Sequence, residues 1–148
     1  MQTNHQKAFT MVELIFVIII IGILAAIALP KFGESAKLAH TAKASSELAT
    51  VRAALSTERQ KRILRGDTAD ITGLGTTVFS SFAASTLSSE STIMQYPPTA
   101  CSSGQTGCWT GSGTSFTYKF VDSGEAKFKL EDNKLICDGT ATACAKLE

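Results

Sequence analysis

Hydrophobic positions are distributed along this chain in three ways, and each predicts a different element. From Ala8 to Leu29 the apolar run is almost continuous, with Glu13 as its only ionisable residue. A helix over that run spans about 33 Å at 1.5 Å per residue, enough to cross a bilayer core of about 30 Å. From Glu34 to Arg65 there is no glycine, and Ala, Glu, Lys and Arg are abundant. Leu38, Leu48, Val51, Leu55 and Ile63 fall near one stripe at a spacing of three to four residues, with charges on the other side, which predicts an amphipathic continuation of the helix. Near the C-terminal end the period becomes two. Phe116, Tyr118 and Phe120 alternate with Thr117 and Lys119, and Ala126, Phe128 and Leu130 alternate with Lys127, Lys129 and Glu131. With turns at Asp122-Ser123-Gly124 and Asp132-Asn133 before Leu135-Ile136-Cys137, this reads as an antiparallel meander of about three strands with one apolar face.

The boundaries follow from local chemistry. Arg59, Lys61, Arg62 and Arg65 sit in the last turns of the long helix, favourable for the negative end of its dipole, and are read as a solvated helix end. Gly66 is placed to stop the helix. Pro30 removes a backbone donor and clashes with the preceding turn, so a kink is expected there, and Gly22 is a second weak point. A helix from Phe9 to Arg65 would be about 85 Å long, more than a head of this size can cover, so other copies are expected to bury its first half. From Asp67 to about Ser115 the chain reads as loop, with a short strand or turn around Val78, Phe79 and Phe82. Between Thr99 and Thr117 most positions are Ser, Thr or Gly, too poor in apolar side chains to build core. Trp109 is the exception, expected to fold back as a lid over a small core. The outcome is an α+β fold, a long N-terminal helix packed on a small antiparallel sheet.

Charge and candidate chemistry narrow the function. The 14 Lys and Arg nearly balance the 13 Asp and Glu, so no long-range field steers nucleic acid or an anionic surface to the chain. Neither histidine, His5 or His40, has a His–Glu metal pair. No phosphate-binding glycine loop or nucleophile elbow is present, so an enzyme is not expected. Glu13 is the exceptional residue. A carboxylate near the centre of a bilayer costs about 2.5–3.5 kcal/mol, less near its edge, and this one has no cation close by in sequence.

The eight residues before Phe9 are mostly polar, and the sharp polar-to-apolar junction falls at Ala8–Phe9. A secretory signal places its cleavage site after the apolar stretch, not before it. The segment Phe9-Thr10-Met11-Val12-Glu13-Leu14, continued by Ile20-Ile21-Gly22-Ile23-Leu24-Ala25-Ala26-Ile27-Ala28-Leu29-Pro30-Lys31-Phe32, resembles the type IV pilin and pseudopilin family. The resemblance implies cleavage by a prepilin peptidase between Ala8 and Phe9 and N-methylation of the new amino terminus on Phe9. Ala8 departs from the glycine usual before the cut, by one methyl group. The product would begin at Phe9, and the loss of Lys7 from the 14 basic side chains would leave as many as the 13 acidic ones.

The resemblance divides the chain into a leader at 1–8, a transmembrane and filament-core helix at 9–30, an amphipathic helix at 31–66, and a loop region with β-meander at 67–148. It implies a pilus subunit polymerising as a helical homopolymer, with Glu13 pairing the Phe9 amine of a neighbour and the stretch between Gly22 and Pro30 able to unwind. The alternatives are a pseudopilin of type II secretion and a minor pilin with a binding head. The implied partners are other copies, the peptidase, the inner-membrane assembly machinery and the inner membrane itself. The precursor would sit in a bacterial inner membrane with its N-terminus in the cytoplasm. The assembled form would be a surface pilus or a periplasmic pseudopilus.

The four cysteines lie beyond the apolar run and, in that orientation, outside the inner membrane, where disulfides form. They make two Cys-x6-Cys pairs. Three connectivities exist, and neighbour pairing, Cys101–Cys108 and Cys137–Cys144, is the simplest because each closes a short loop. A zinc site is the alternative, although its ligand pairs are usually two to four residues apart. The second loop resembles one that staples the tail to the sheet in many pilins. No cofactor is expected. Asp122, Glu125, Asp132 and Asp138 are the residues that a structural calcium would use, but they form no complete ligand pattern and read as turn residues.

Overall fold

The computed structural model describes residues 9–148. Ala8, His5 and Lys7, and with them the leader side of the expected cut, lie outside the described residues. The first element, α1 (Met11–Leu64), starts where Thr10 caps it: Glu13 N–H donates to Thr10 Oγ1 at 3.2 Å, and Leu14 N–H donates to Thr10 O at 3.2 Å. Thr10 and Glu13 thus occupy the positions of a capping box, with the acid in the first turn where the helix dipole favours it. The helix continues without interruption through Gly22 and Pro30. It ends as expected at Gly66, whose φ is 80°. Gly66 N–H donates to Ile63 O and Asp67 N–H to Arg62 O, both at 2.9 Å, satisfying two carbonyls that a bare helix end leaves open.

The chain divides into two compact units, one ending at Ala36 and the other Lys37–Glu148. In the first, every described residue is exposed, including each large apolar side chain from Phe9 to Phe32. The helix is long and apolar enough to cross a membrane.

In the second unit the part of α1 from Lys37 onward packs on a four-stranded antiparallel sheet, and the architecture is α+β. A two-stranded pair, β1 (Ser81–Phe82) and β2 (Ser91–Thr92), precedes it. The sheet follows chain order: β3 (Cys108–Ser112), β4 (Ser115–Lys119), β5 (Glu125–Glu131) and β6 (Lys134–Cys137). A single turn of helix, α2 (Ala141–Cys144), closes the chain. Alternation selects the inward face, and the register sets Trp109 opposite Tyr118, Phe116 opposite Phe128, and Leu130 opposite Leu135. Each fully buried large side chain of this kind contributes about 1.5–3 kcal/mol. Asp132 and Asn133, both at positive φ, turn β5 into β6, and Asn133 Oδ1 accepts from Ile71 N–H at 2.7 Å.

Several expectations are corrected. The buried stripe of α1 is Ala44, Leu48, Val51, Leu55, Glu58 and Arg62, a strict alternation of four and three residues. Leu38 and Ile63 lie off that line and are 72% and 52% exposed. Arg62 is not part of a solvated helix end. It is fully buried, its Nε donating to Glu58 Oε1 at 3.1 Å and its Nη2 to Ala83 O at 2.6 Å. The meander has four strands, not three. The stretch read as loop supplies β3, because Trp109 provides enough apolar surface to hold a strand otherwise made of Cys, Thr, Gly and Ser. Trp109 lies within the core rather than over it, its ring 5.1 Å from those of Phe79 and Tyr118.

Candidate functional site

The site singled out by the sequence is the start of α1. Thr10 fixes the first helical turn, and Glu13 stands in it as the sole acid before Glu34. Phe9, 81% exposed, immediately precedes the cap. Among the described residues Glu13 enters no ion pair. Around it Phe9, Met11, Val12, Leu14 and Phe16 are all exposed. A carboxylate on an uncovered apolar surface gains from any partner that brings a cation as it removes water or lipid, so this arrangement can specify where a second apolar helix docks.

Gly22 and Pro30 are also exposed. A Cβ on Gly22 would meet no atom within 4 Å, so within one chain glycine there answers no packing need. The cysteines are joined as Cys101–Cys108, with Cα atoms 5.5 Å apart, and Cys137–Cys144, with Cα atoms 6.1 Å apart. The second bond ties the end of β6 to α2, and beyond it Leu147 is buried in the core. Asp122, Glu125, Asp132 and Asp138 do not converge, and among the described residues no three acidic, His or Cys side chains stand as a metal site. Asp122 accepts from Ser123 N–H and lies 3.4 Å from Lys146 Nζ; those two contacts, the backbone one first, hold its carboxyl below the usual range.

The head also orders polar groups that sequence reasoning missed. Asp67, just past the helix, accepts from the Ser85 hydroxyl and from Ala69 N–H, the latter at 3.1 Å. The Ser85 bond is the main cause of its lowered pKa, opposed by burial and helped by Ala69, Ser88 and Arg62. Glu47 Oε2 accepts from Trp109 Nε1 at 2.8 Å. Burial, with the Glu47 charge nearby, raises the pKa of Tyr118. The spacing of Glu58 and Arg62 on the stripe was the available signal for the buried pair.

Comparison with known proteins bears on the first of these sites. Residues 3–29 match the prokaryotic N-terminal methylation motif. The chain is 50% identical over 52 residues to a type IV major alpha-pilin of Moraxella bovis, covering 35% of this chain and 33% of that protein. It is 46% identical over 57 residues to a fimbrial protein of Moraxella nonliquefaciens, covering 38% and 37%. A fimbrial protein of Pseudomonas aeruginosa is 43% identical over 61 residues, covering 41% and 37%. The matches thus span little more than a third of the length of these curated relatives. No solved structure matches the chain. A long apolar helix with one carboxylate in its first turn, joined to an α+β head, defines a class of membrane-competent chain whose apolar surface is left for partners. The N-terminal segment of this chain is thus similar to that of type IV pilins and fimbrial proteins, and the likeness covers that segment alone.

Proposed function

We propose that this chain is a structural subunit of a type IV pilus, made as an inner-membrane precursor with a cytoplasmic N-terminus and polymerised through α1. The supporting observation is the exposed apolar surface from Phe9 to Leu29, with a single unpaired carboxylate in its first turn among the described residues. In this reading a prepilin peptidase removes residues 1–8 by cutting between Ala8 and Phe9, and the Phe9 amine is methylated. The helix at 9–30 then leaves the bilayer for a core of like helices, assembled by inner-membrane machinery, while 31–66 and 67–148 form the head. Glu13 of an incoming subunit neutralises the Phe9 amine of a neighbour, which offsets the desolvation of both charges and sets the axial register. No cofactor is needed. Adhesion, motility or DNA uptake would be carried out by the filament as a whole.

The test combines electron microscopy of sheared surface fractions with mass spectrometry of the protein in them. Filaments built from a chain beginning at methylated Phe9 and absent from a deletion strain are expected. Retention of all the protein in the inner membrane, with no surface filament, would replace this reading with a pseudopilin or minor subunit. In the Glu13→Gln variant, cleavage is expected to persist while filaments disappear or become irregular; normal filaments would exclude the pairing.

A further inference from the structure

The head contains a cleft of about 340 Å³ between α1 and the loop closed by the Cys101–Cys108 disulfide. His40, Lys43 and Glu47 line it from the helix, Gln105 from the loop, and Trp109 and Tyr118 from the sheet. All belong to the unit Lys37–Glu148, so the cleft does not depend on assembly. Its size falls at the small end of the range for sites that take small molecules.

Its walls are held in place. Gly107 has φ 73°, and a Cβ there would stand 2.9 Å from Val121 Cγ2 and 3.1 Å from His40 Nδ1, so the loop is seated directly against the helix. The Tyr118 hydroxyl donates to His40 O at 3.0 Å, tying sheet to helix. The Trp109 indole fixes one oxygen of Glu47 and leaves Oε1 as an acceptor. Lys43 Nζ forms an ion pair with that oxygen at 3.8 Å, too long for a hydrogen bond, and its side chain is 71% exposed, so the pair is weakly held. Gln105 Oε1 accepts from Ser102 N–H at 2.9 Å, which leaves its amide donors unspent among the described residues.

The cleft therefore sets an exposed ammonium, held only by a long ion pair to Glu47, and unspent amide donors beside an oriented carboxylate. A bare anion would meet Lys43 but be repelled by Glu47, and a neutral polyol would engage Glu47 but bring Lys43 no hydrogen-bonded anion in place of its long ion pair. A ligand with a carboxylate beside hydroxyl groups uses both. We propose that this cleft binds an acidic sugar, with the sugar carboxylate on Lys43 and Gln105 and a hydroxyl donating to Glu47 Oε1. The site stands on the head alone and survives or fails independently of the filament reading.

Trp109 is the only tryptophan in the chain, so its fluorescence reports on the cleft. The full-length protein in detergent is titrated with galacturonic acid and N-acetylneuraminic acid, with galactose as the neutral control, up to about 20 mM. A saturable response to at least one acid, at least tenfold tighter than to galactose, is expected. Lys43→Met should remove that preference without changing the melting temperature, since the side chain is mostly in solvent. Glu47→Gln keeps an acceptor for the indole and should weaken acidic and neutral sugars alike. No saturable response to either acid, equal affinity for galactose, or an acid preference unchanged in Lys43→Met would overturn the assignment.

Discussion

One helix runs through both halves of this protein, and two of its carboxylates, Glu13 and Glu58, show how differently those halves are built. From Phe9 to Leu29, apolar side chains surround the helix on all sides and every one is exposed. Beyond Lys37, the apolar positions narrow to a line repeating every three or four residues, and the sheet covers it. Glu13 lies on the uncovered surface with no ion-pair partner among the described residues, whereas Glu58 is buried against Arg62. An apolar stripe marks a helix that finds its partner within its own chain. An apolar cylinder marks one that must find partners outside it.

That contrast can be broken at either carboxylate. The largest effect is expected at Glu13, where Gln removes a charge that the isolated head never uses: filament yield should collapse while the melting temperature stays unchanged. At the other end, Arg62→Met leaves Glu58 buried without its cation and Ala83 O without its donor. The expected cost is about 3–5 kcal/mol in thermal or urea unfolding, and Glu58→Leu with Arg62→Met should recover most of it. If the single variant costs under about 1 kcal/mol, the pair is not the buried contact that the geometry describes.

Smaller effects sharpen the picture of the head. Replacing Cys137 and Cys144 by serine frees the tail from β6 and should lower stability by about 2–3 kcal/mol on the loop-entropy model, with no change in the helical signal of the N-terminal half. Asp67 sets an acid limit. Its folded pKa lies below the unfolded value, so its contribution is present above the unfolded pKa and is lost as pH falls through the folded one. Asp67→Asn should flatten the fall in melting temperature on the acid side, a change visible in melts taken across roughly pH 2 to 5, the range in which carboxylates titrate. The smallest effect is expected from Gly22→Ala, since the added methyl meets nothing and alanine favours helix by about 1 kcal/mol or less. Head stability should not move. Stiffer filaments under tension would point to Gly22 as a site of unwinding.

Much of the architecture is legible in the sequence because local pattern and tertiary need agree there. The long helix, its stop at Gly66 and the alternation in β4 and β5 each follow from side-chain period or backbone freedom within a few residues. The first strand of the four-stranded sheet is not legible. Cys108–Ser112 has the composition of a loop, and only the pairing of Trp109 with Tyr118 across the sheet makes it β3. Leu38 and Ile63 are apolar and close to the stripe, yet the rotation of the helix against the sheet puts Ala44 and Arg62 there instead. At the start of α1 the residues are legible and a partner is not, since nothing among the described residues covers Glu13.

Residue spacing alone places the long helix and its stop at Gly66, though not the short α2, and marks the first half of α1 as apolar on every side. Those properties depend on spacing and on the cost of leaving apolar surface or a charge uncovered. Packing of the sheet on the helix is what makes Arg62 a core residue paired with Glu58, has Trp109 orient Glu47, and sets the Cys101–Cys108 loop over a cleft beside Lys43. Most of these contacts join residues far apart in the chain, and their geometry is set by the register of the sheet and the rotation of the helix on it.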